Sequence, residues 1–125
     1  MIRGVGIDLV EVGRMERAIE RWGQRFLERI FAPEEIGLCL KRAKPGSCFA
    51  LRFAAKEAFA KALGLGIRSG LVWRDIEVVN DELGKPGLRL SNRAQELFGS
   101  VGAERIWLSL SDESTIAVAV VVLEG

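Results

Sequence analysis

The 125-residue chain is predicted to fold as an α+β domain, a mainly antiparallel sheet packed on one central helix. Three observations predict it. A long apolar helical stretch, Phe49 to Gly66, sits in the middle of the chain. Segments that alternate at period two lie on both sides of it. The order reads strand, helices, strands, helix and a closing hairpin, so one domain over residues 1–125 is expected.

Ile2–Val12 (IRGVGIDLVEV) is rich in β-branched residues and reads as the first strand. Asp8 interrupts it, and alternation puts that carboxylate on the face opposite Ile7 and Leu9. An aspartate in a strand interior is disfavoured, so Asp8 is either on a solvated face or a working carboxylate.

From Gly13 to Phe31 the period changes to 3.6, with Met15, Ala18, Ile19 and Trp22 as an apolar stripe. Arg14, Arg17, Arg21 and Arg25 recur every three or four residues, and Arg29 continues the series. An unbroken helix would align the first four within about 80° of arc, a face suited to an acidic partner. Gly23 is a candidate break. Pro33 opens a short helix, with Glu34 and Glu35 complementing its dipole. KRAKPGS (41–47) then forms a basic loop that delivers Lys44 to the start of the central helix.

That helix, FALRFAAKEAFAKALGLG, is capped in this reading by Ser47 and stopped by Gly64 and Gly66. It is apolar round most of its circumference, so it is expected to be largely buried. Arg52 and Lys56 share one side; Glu57 and Lys61, at i and i+4, share another. Glu57 has two readings: an intrahelical pair with Lys61, or a carboxylate facing a metal or a reacting group.

Beyond a glycine-rich turn, DIEVVN (75–80) reads as a strand, DELGKPG as a turn and Leu88–Leu90 as a returning strand. Ser91 caps a helix over Asn92–Phe98, closed by Gly99. Glu104–Ser111 and Thr115–Glu124 form the closing hairpin around Asp112-Glu113-Ser114.

Composition narrows the function. The net charge is +1, but residues 1–61 hold twelve Lys/Arg against eight Asp/Glu, and the remainder six against nine. A local basic surface in the first half therefore awaits an acidic partner. Near-neutral charge without an aromatic-plus-basic pattern argues against nucleic acid. The longest apolar run, Ile116–Leu123, is too short to span a bilayer, and no signal peptide is visible. With no histidine, there is no zinc site to complete, and proton transfer falls to carboxylate, lysine or water. Cys39 and Cys48 are expected as free buried thiols in a reducing cytosol.

The motifs GIDLVEVGR (6–14), QRFLERIF (24–31), RFAAKEAFAKALGLGI (52–67), GKP (84–86) and SLSDESTIAVAVV (109–121) run in order over nearly the whole chain. In these the chain resembles the holo-(acyl-carrier-protein) synthases, the small type of 4′-phosphopantetheinyl transferase. The resemblance implies that fold and a transfer reaction. The 4′-phosphopantetheine arm of coenzyme A would pass to a serine of apo acyl carrier protein, releasing adenosine 3′,5′-bisphosphate.

It implies Mg²⁺ held by Asp8 and Glu57, Glu57 and Lys61 as catalytic groups, and a cytoplasmic homotrimer with sites between subunits, serving fatty-acid biosynthesis. Coenzyme A contacts fall on Lys44, Arg52, Lys61, Gly66, Ser109 and Asp112. The carrier protein's acidic helix would meet Arg14, Arg21, Arg25 and Arg29. The proton acceptor is then Glu57 or a water it polarises. The family commonly reads Ser-x-Ser-His where this chain has SLSD. Asp112 thus replaces a histidine near the nucleotide end of coenzyme A, and either faces that ligand or bonds amides of its own turn. A carrier-protein binding module without transfer activity, and a nucleic-acid-binding domain, are the alternatives in other classes.

Overall fold

Glycines at alternate positions of the first strand set how closely the sheet approaches the helix. The computed structural model of the chain describes residues 1–65 and 70–125. β1 (Ile2–Glu11) lies against α3 (Pro45–Ala62). A Cβ at Gly4 or Gly6 would run into the backbone carbonyl of Ala62 or Ala58. The two elements therefore meet backbone to backbone, with alanine on the helix side.

Between them run α1 (Val12–Ile30) and α2 (Pro33–Leu40). After α3 come a 3₁₀ turn (Trp73–Asp75), β2 (Ile76–Asn80), β3 (Pro86–Leu90), α4 (Asn92–Ser100), β4 (Arg105–Asp112) and β5 (Ile116–Glu124). The main sheet has the order β1-β5-β4 and β2 pairs with β3, every one of these pairings antiparallel. The predicted α+β class with a central helix is the observed one.

α3 is buried along most of its length, and it joins two apolar clusters. Its second half, with Ala58 and Phe59, packs on Ile76, Val121 and Leu123. Its first half, with Phe49 and Ala50, packs on Met15, Leu27 and Phe31 of the α1–α2 side. Both polar residues expected on one side of α3 are buried: Arg52 is 6 % exposed and Lys56 0 %.

Lys56 Nζ donates to Glu35 Oε1 at 2.8 Å and to the carbonyls of Trp73 and Ile76. Glu35, itself 2 % exposed, accepts from the backbone N–H of Ala32 at 2.9 Å and of Val78 at 3.0 Å. One ion pair thus ties α2, α3 and β2 together, with its hydrogen-bonding capacity taken up.

Several sequence expectations are corrected. α3 begins at Pro45, two residues before Ser47; Lys44 occupies the cap position, and the fixed φ of proline starts the helix. α4 runs on through Gly99 to Ser100, and it is Gly102 that turns the chain at φ 78°. Ser91 precedes α4 as expected, but its Oγ bonds Asp75 Oδ1 at 3.3 Å, not the helix N–H groups. Gly23 does break α1, at φ 63° and ψ −146°, so the arginine stripe is interrupted between Arg21 and Arg25. Cys39 and Cys48 are not free thiols but a disulfide. The turn between α2 and α3 brings their α-carbons to 5.4 Å, a separation along the chain of nine residues notwithstanding.

The outer face of the β1-β5-β4 sheet is bare. Val5, Ile7 and Leu9 are 58, 58 and 62 % exposed, in register with Val122, Val120 and Val118 of β5. Trp107 of β4 extends the same face beside Val122.

Candidate active site

The strand–helix contact that needs Gly4 and Gly6 continues to Asp8, the next residue on that face of β1. There it meets the C-terminal half of α3, which contributes Glu57 and Lys61. Lys61 Nζ donates to Asp8 Oδ1 at 3.0 Å and to the carbonyl of Ile7 at 3.0 Å. Of the two readings of Glu57, the intrahelical pair is not formed. Lys61 turns to the strand instead, and no ion pair joins it to Glu57 among the described residues.

Asp8 and Glu57 face one cavity of about 350 Å³, whose wall also includes Arg14, Met15, Phe26 and Phe53. Burial pushes the Glu57 carboxyl above its ordinary 4.5, the Asp8 carboxylate pushes it further, and Lys61 opposes both. Two carboxylates that repel across a cavity suit a cation. Among the described residues no group of three or more His, Cys, Asp or Glu is gathered. Mg²⁺ asks for no more than one or two carboxylates when waters and substrate phosphates supply the remaining oxygens. The residues present therefore fit Mg²⁺.

The titration of Glu57 gives a prediction about the metal-free protein. Its folded pKa lies above the unfolded value, so the native state binds more protons than the unfolded chain in the window between them. Stability falls as pH rises through that window, and the penalty is complete above it. Glu57→Gln is expected to raise the thermal midpoint at neutral pH, with the gain vanishing on acidification to about pH 4. Added Mg²⁺ should stabilise the parent protein and not this variant. A midpoint difference that does not change with pH would remove the repulsion argument.

A second cavity, of about 640 Å³, opens between the loop after α2, the first turns of α3 and the β4–β5 hairpin. Lys44, Arg52 and Asp112 line it together with Arg42 and Asn80. Arg52 donates from Nη1 to Cys48 Sγ at 3.2 Å and from Nη2 to Asn80 Oδ1 at 3.5 Å, while its buried Nε has no partner among the described residues. Desolvation disfavours its charge, and Glu35 nearby partly restores it. Asp112 ends β4 opposite Ala117, and among the described residues no side-chain hydrogen bond joins it to the turn. The hairpin is closed instead by the backbone, Glu113 N–H to the Ile116 carbonyl at 2.9 Å.

The expected site residues thus fall into two groups within one chain. Asp8, Glu57 and Arg14 share the first cavity, with Lys61 bonded to Asp8 at its edge. Lys44, Arg52 and Asp112 share the second, and among the described residues the two cavities have no lining residue in common. Ser109 reaches neither; it lies in register with Val120 on the bare sheet face. Gly66 lies outside the described residues. Arg14, Arg21, Arg25 and Arg29 are exposed and make no ion pair among the described residues, though Arg21 stacks on Trp22 at 4.8 Å. Asn80 was not legible as a site residue. Only the fold places it between Arg52 and the β2–β3 turn, where its Nδ2 donates to the Gly84 carbonyl at 3.0 Å.

Comparison with known proteins places these features in context. Residues 4–120 match the family model of the 4′-phosphopantetheinyl transferase superfamily. A holo-(acyl-carrier-protein) synthase of Geobacter metallireducens is 52 % identical over 124 residues, 99 % of this chain and 98 % of that one. The crystal structure of the corresponding synthase from Neisseria meningitidis superposes with a TM-score of 0.92 at 42 % identity, each chain covered completely. The Bacillus anthracis synthase, in complex with CoA (3′,5′-ADP), superposes at 0.82 with 39 % identity, over 99 % of this chain and 97 % of that one.

Proposed function

Because the chain belongs to the 4′-phosphopantetheinyl transferase superfamily, as an enzyme of the holo-(acyl-carrier-protein) synthase type, we propose that it moves the 4′-phosphopantetheine arm of coenzyme A onto a serine of apo acyl carrier protein. The observation that carries the reading is the carboxylate pair, Asp8 from β1 and Glu57 from α3, facing one cavity beside Arg14. A binding module would have no use for two repelling carboxylates at the end of its docking face.

In this reading Asp8 and Glu57 hold Mg²⁺, which when bound neutralises and orients the pyrophosphate of coenzyme A. Glu57, which faces the cavity beside Asp8, accepts the proton of the carrier serine. The serine oxygen forms its bond to the phosphorus that carries the pantetheine arm. The bond from that phosphorus to the bridging oxygen breaks, and adenosine 3′,5′-bisphosphate leaves. The Lys61 ammonium, half exposed beside Asp8, offsets the charge on the leaving phosphate.

The second cavity takes the nucleotide end: Lys44, Arg42 and Arg52 offer cations to its phosphates. Separate cavities in one chain, together with the bare aliphatic sheet face, support a homotrimer in which neighbours cover that face and complete each site. The proposed location is the cytoplasm, with a carrier protein of fatty-acid synthesis as partner. Among the described residues no helix is long and apolar enough to cross a membrane.

The test of the reaction is direct. Chain, coenzyme A, apo carrier protein and Mg²⁺ are expected to release adenosine 3′,5′-bisphosphate in step with carrier modification, and EDTA is expected to stop both. Nucleotide release without the carrier, or transfer that survives EDTA, would contradict the scheme. Sedimentation of the same sample should give the mass of three chains; a monomer fully active at assay concentration would remove the trimer.

The docking face gives a further prediction. Reversing both Arg21 and Arg25, which line neither cavity, to glutamate is expected to raise KM for the carrier protein by roughly tenfold or more at low salt, and the gap should close as salt is added. KM for coenzyme A should stay nearly unchanged. An equal loss in coenzyme A affinity would move the arginines to the nucleotide cavity.

A further inference from the structure

We propose that Cys39 and Cys48 form a thiol–disulfide switch that sets the affinity of the basic cavity for coenzyme A. The inference rests on the reading above that this cavity takes the nucleotide end of that substrate. The geometry is specific. The disulfide joins the end of α2 to the first turn of α3, and it closes a ring that contains the loop 41–44. That loop carries Arg42 and Lys44, two of the cavity's cations. The third, Arg52, donates to Cys48 Sγ itself. Among the described residues, every cation lining the cavity is thus either inside the ring or bonded to it.

The two sulfurs differ in access, which gives the chemistry an order. Cys48 lines the cavity, whereas Cys39 is wholly buried behind it. In the reduced protein the Arg52 guanidinium beside Cys48 favours its thiolate, the nucleophilic form. That thiolate attacks a low-molecular-weight disulfide of the glutathione class, forming a mixed disulfide and expelling one small thiol. Cys39, after giving up its proton, attacks the Cys48 sulfur and expels the second. Two protein thiols are oxidised and one small disulfide is reduced to two thiols, so electrons and protons balance. Disulfides in a reducing compartment are usually transient and redox-sensing, which is the role such a bond has room for in the proposed cytoplasmic setting.

The direction follows from the two states. Closed, the ring holds Arg42 and Lys44 in place before ligand arrives, and the neutral disulfide leaves the Arg52 charge for a phosphate. Open, the loop must be ordered on binding, and the Cys48 thiolate competes with the phosphate for Arg52. Reduction is therefore expected to weaken coenzyme A binding by about three- to tenfold, the effect of losing one or two preordered side chains.

The experiment is calorimetric titration of the full-length protein with coenzyme A and Mg²⁺, oxidised and after a phosphine reductant. Alkylation and intact mass count the free thiols in each sample. The expected result is no free thiol and tight binding in one, two free thiols and weaker binding in the other, with affinity restored by glutathione disulfide. Cys39→Ser should bind like the reduced protein whether or not reductant is present. Equal affinity in both states, even with a lower thermal midpoint on reduction, overturns the switch and leaves a structural cross-link. Failure of the phosphine to free the thiols of the folded protein also overturns it. Absence of coenzyme A binding in both states overturns the proposed function, and the switch with it.

Discussion

Replacing Asp8 or Glu57 with alanine is expected to lower transfer by on the order of a hundred- to a thousandfold while the protein stays folded. Each change removes one of the two carboxylates proposed to hold Mg²⁺; Glu11, the third on the cavity wall, pairs with Arg17 instead. Excess Mg²⁺ should recover little, because each side chain is one of only two proposed protein ligands of the metal that orients the pyrophosphate. The cost to folding is small for reasons specific to each residue. Glu57 is destabilised in the native state by burial and by Asp8, so its removal relieves repulsion. Asp8 pairs with a half-exposed Lys61, a contact worth about 0–1 kcal/mol. Unchanged turnover in either variant at saturating Mg²⁺ contradicts the assignment, and an unfolded Glu57→Ala contradicts the electrostatic account.

The largest stability effect is expected far from that cavity, at Glu35 and Lys56. Glu35→Ala strands a fully buried ammonium with two carbonyls and a phenyl ring, and it orphans the N–H groups of Ala32 and Val78. A loss of about 3–5 kcal/mol follows for breaking a buried pair, or a fall in midpoint of roughly 10–20 °C. The double variant Glu35→Met with Lys56→Met leaves neither member of the pair buried without its partner and should lose clearly less than the two single variants added together. Denaturant unfolding of the three variants measures this. Additive losses would mean that the two side chains contribute independently.

These two predictions mark where the sequence is legible and where it is not. Asp8 and Glu57 stand out because each is an acid in an element whose period and apolar neighbours are otherwise unambiguous. Local pattern suffices to put them on a strand and a central helix, and the α+β order follows from the same periodicities. Lys56 carries the same kind of anomaly, but its partner lies 21 residues earlier in α2, where Glu35 reads only as a helix-start acid. Pairing across elements has no periodic signature. The disulfide is not legible for a related reason: Cys39 and Cys48 flank a basic loop, and only the α2–α3 turn brings the sulfurs together. Helix ends were read by residue type, Ser47 and Gly99, where backbone geometry at Pro45 and Gly102 decides. Ser109 reads as a site residue through its motif, yet its strand turns it onto the bare sheet face, beyond the reach of either cavity within one chain.

The central claim is that Asp8 and Glu57 serve group transfer from coenzyme A to a carrier serine. Intact mass spectrometry of apo acyl carrier protein, incubated with this chain, coenzyme A and Mg²⁺, tests it most directly. The account predicts a single mass increment of one phosphopantetheine arm, mapped to one serine and absent with Asp8→Ala. An unmodified carrier protein in the presence of folded, coenzyme A-bound enzyme would contradict it.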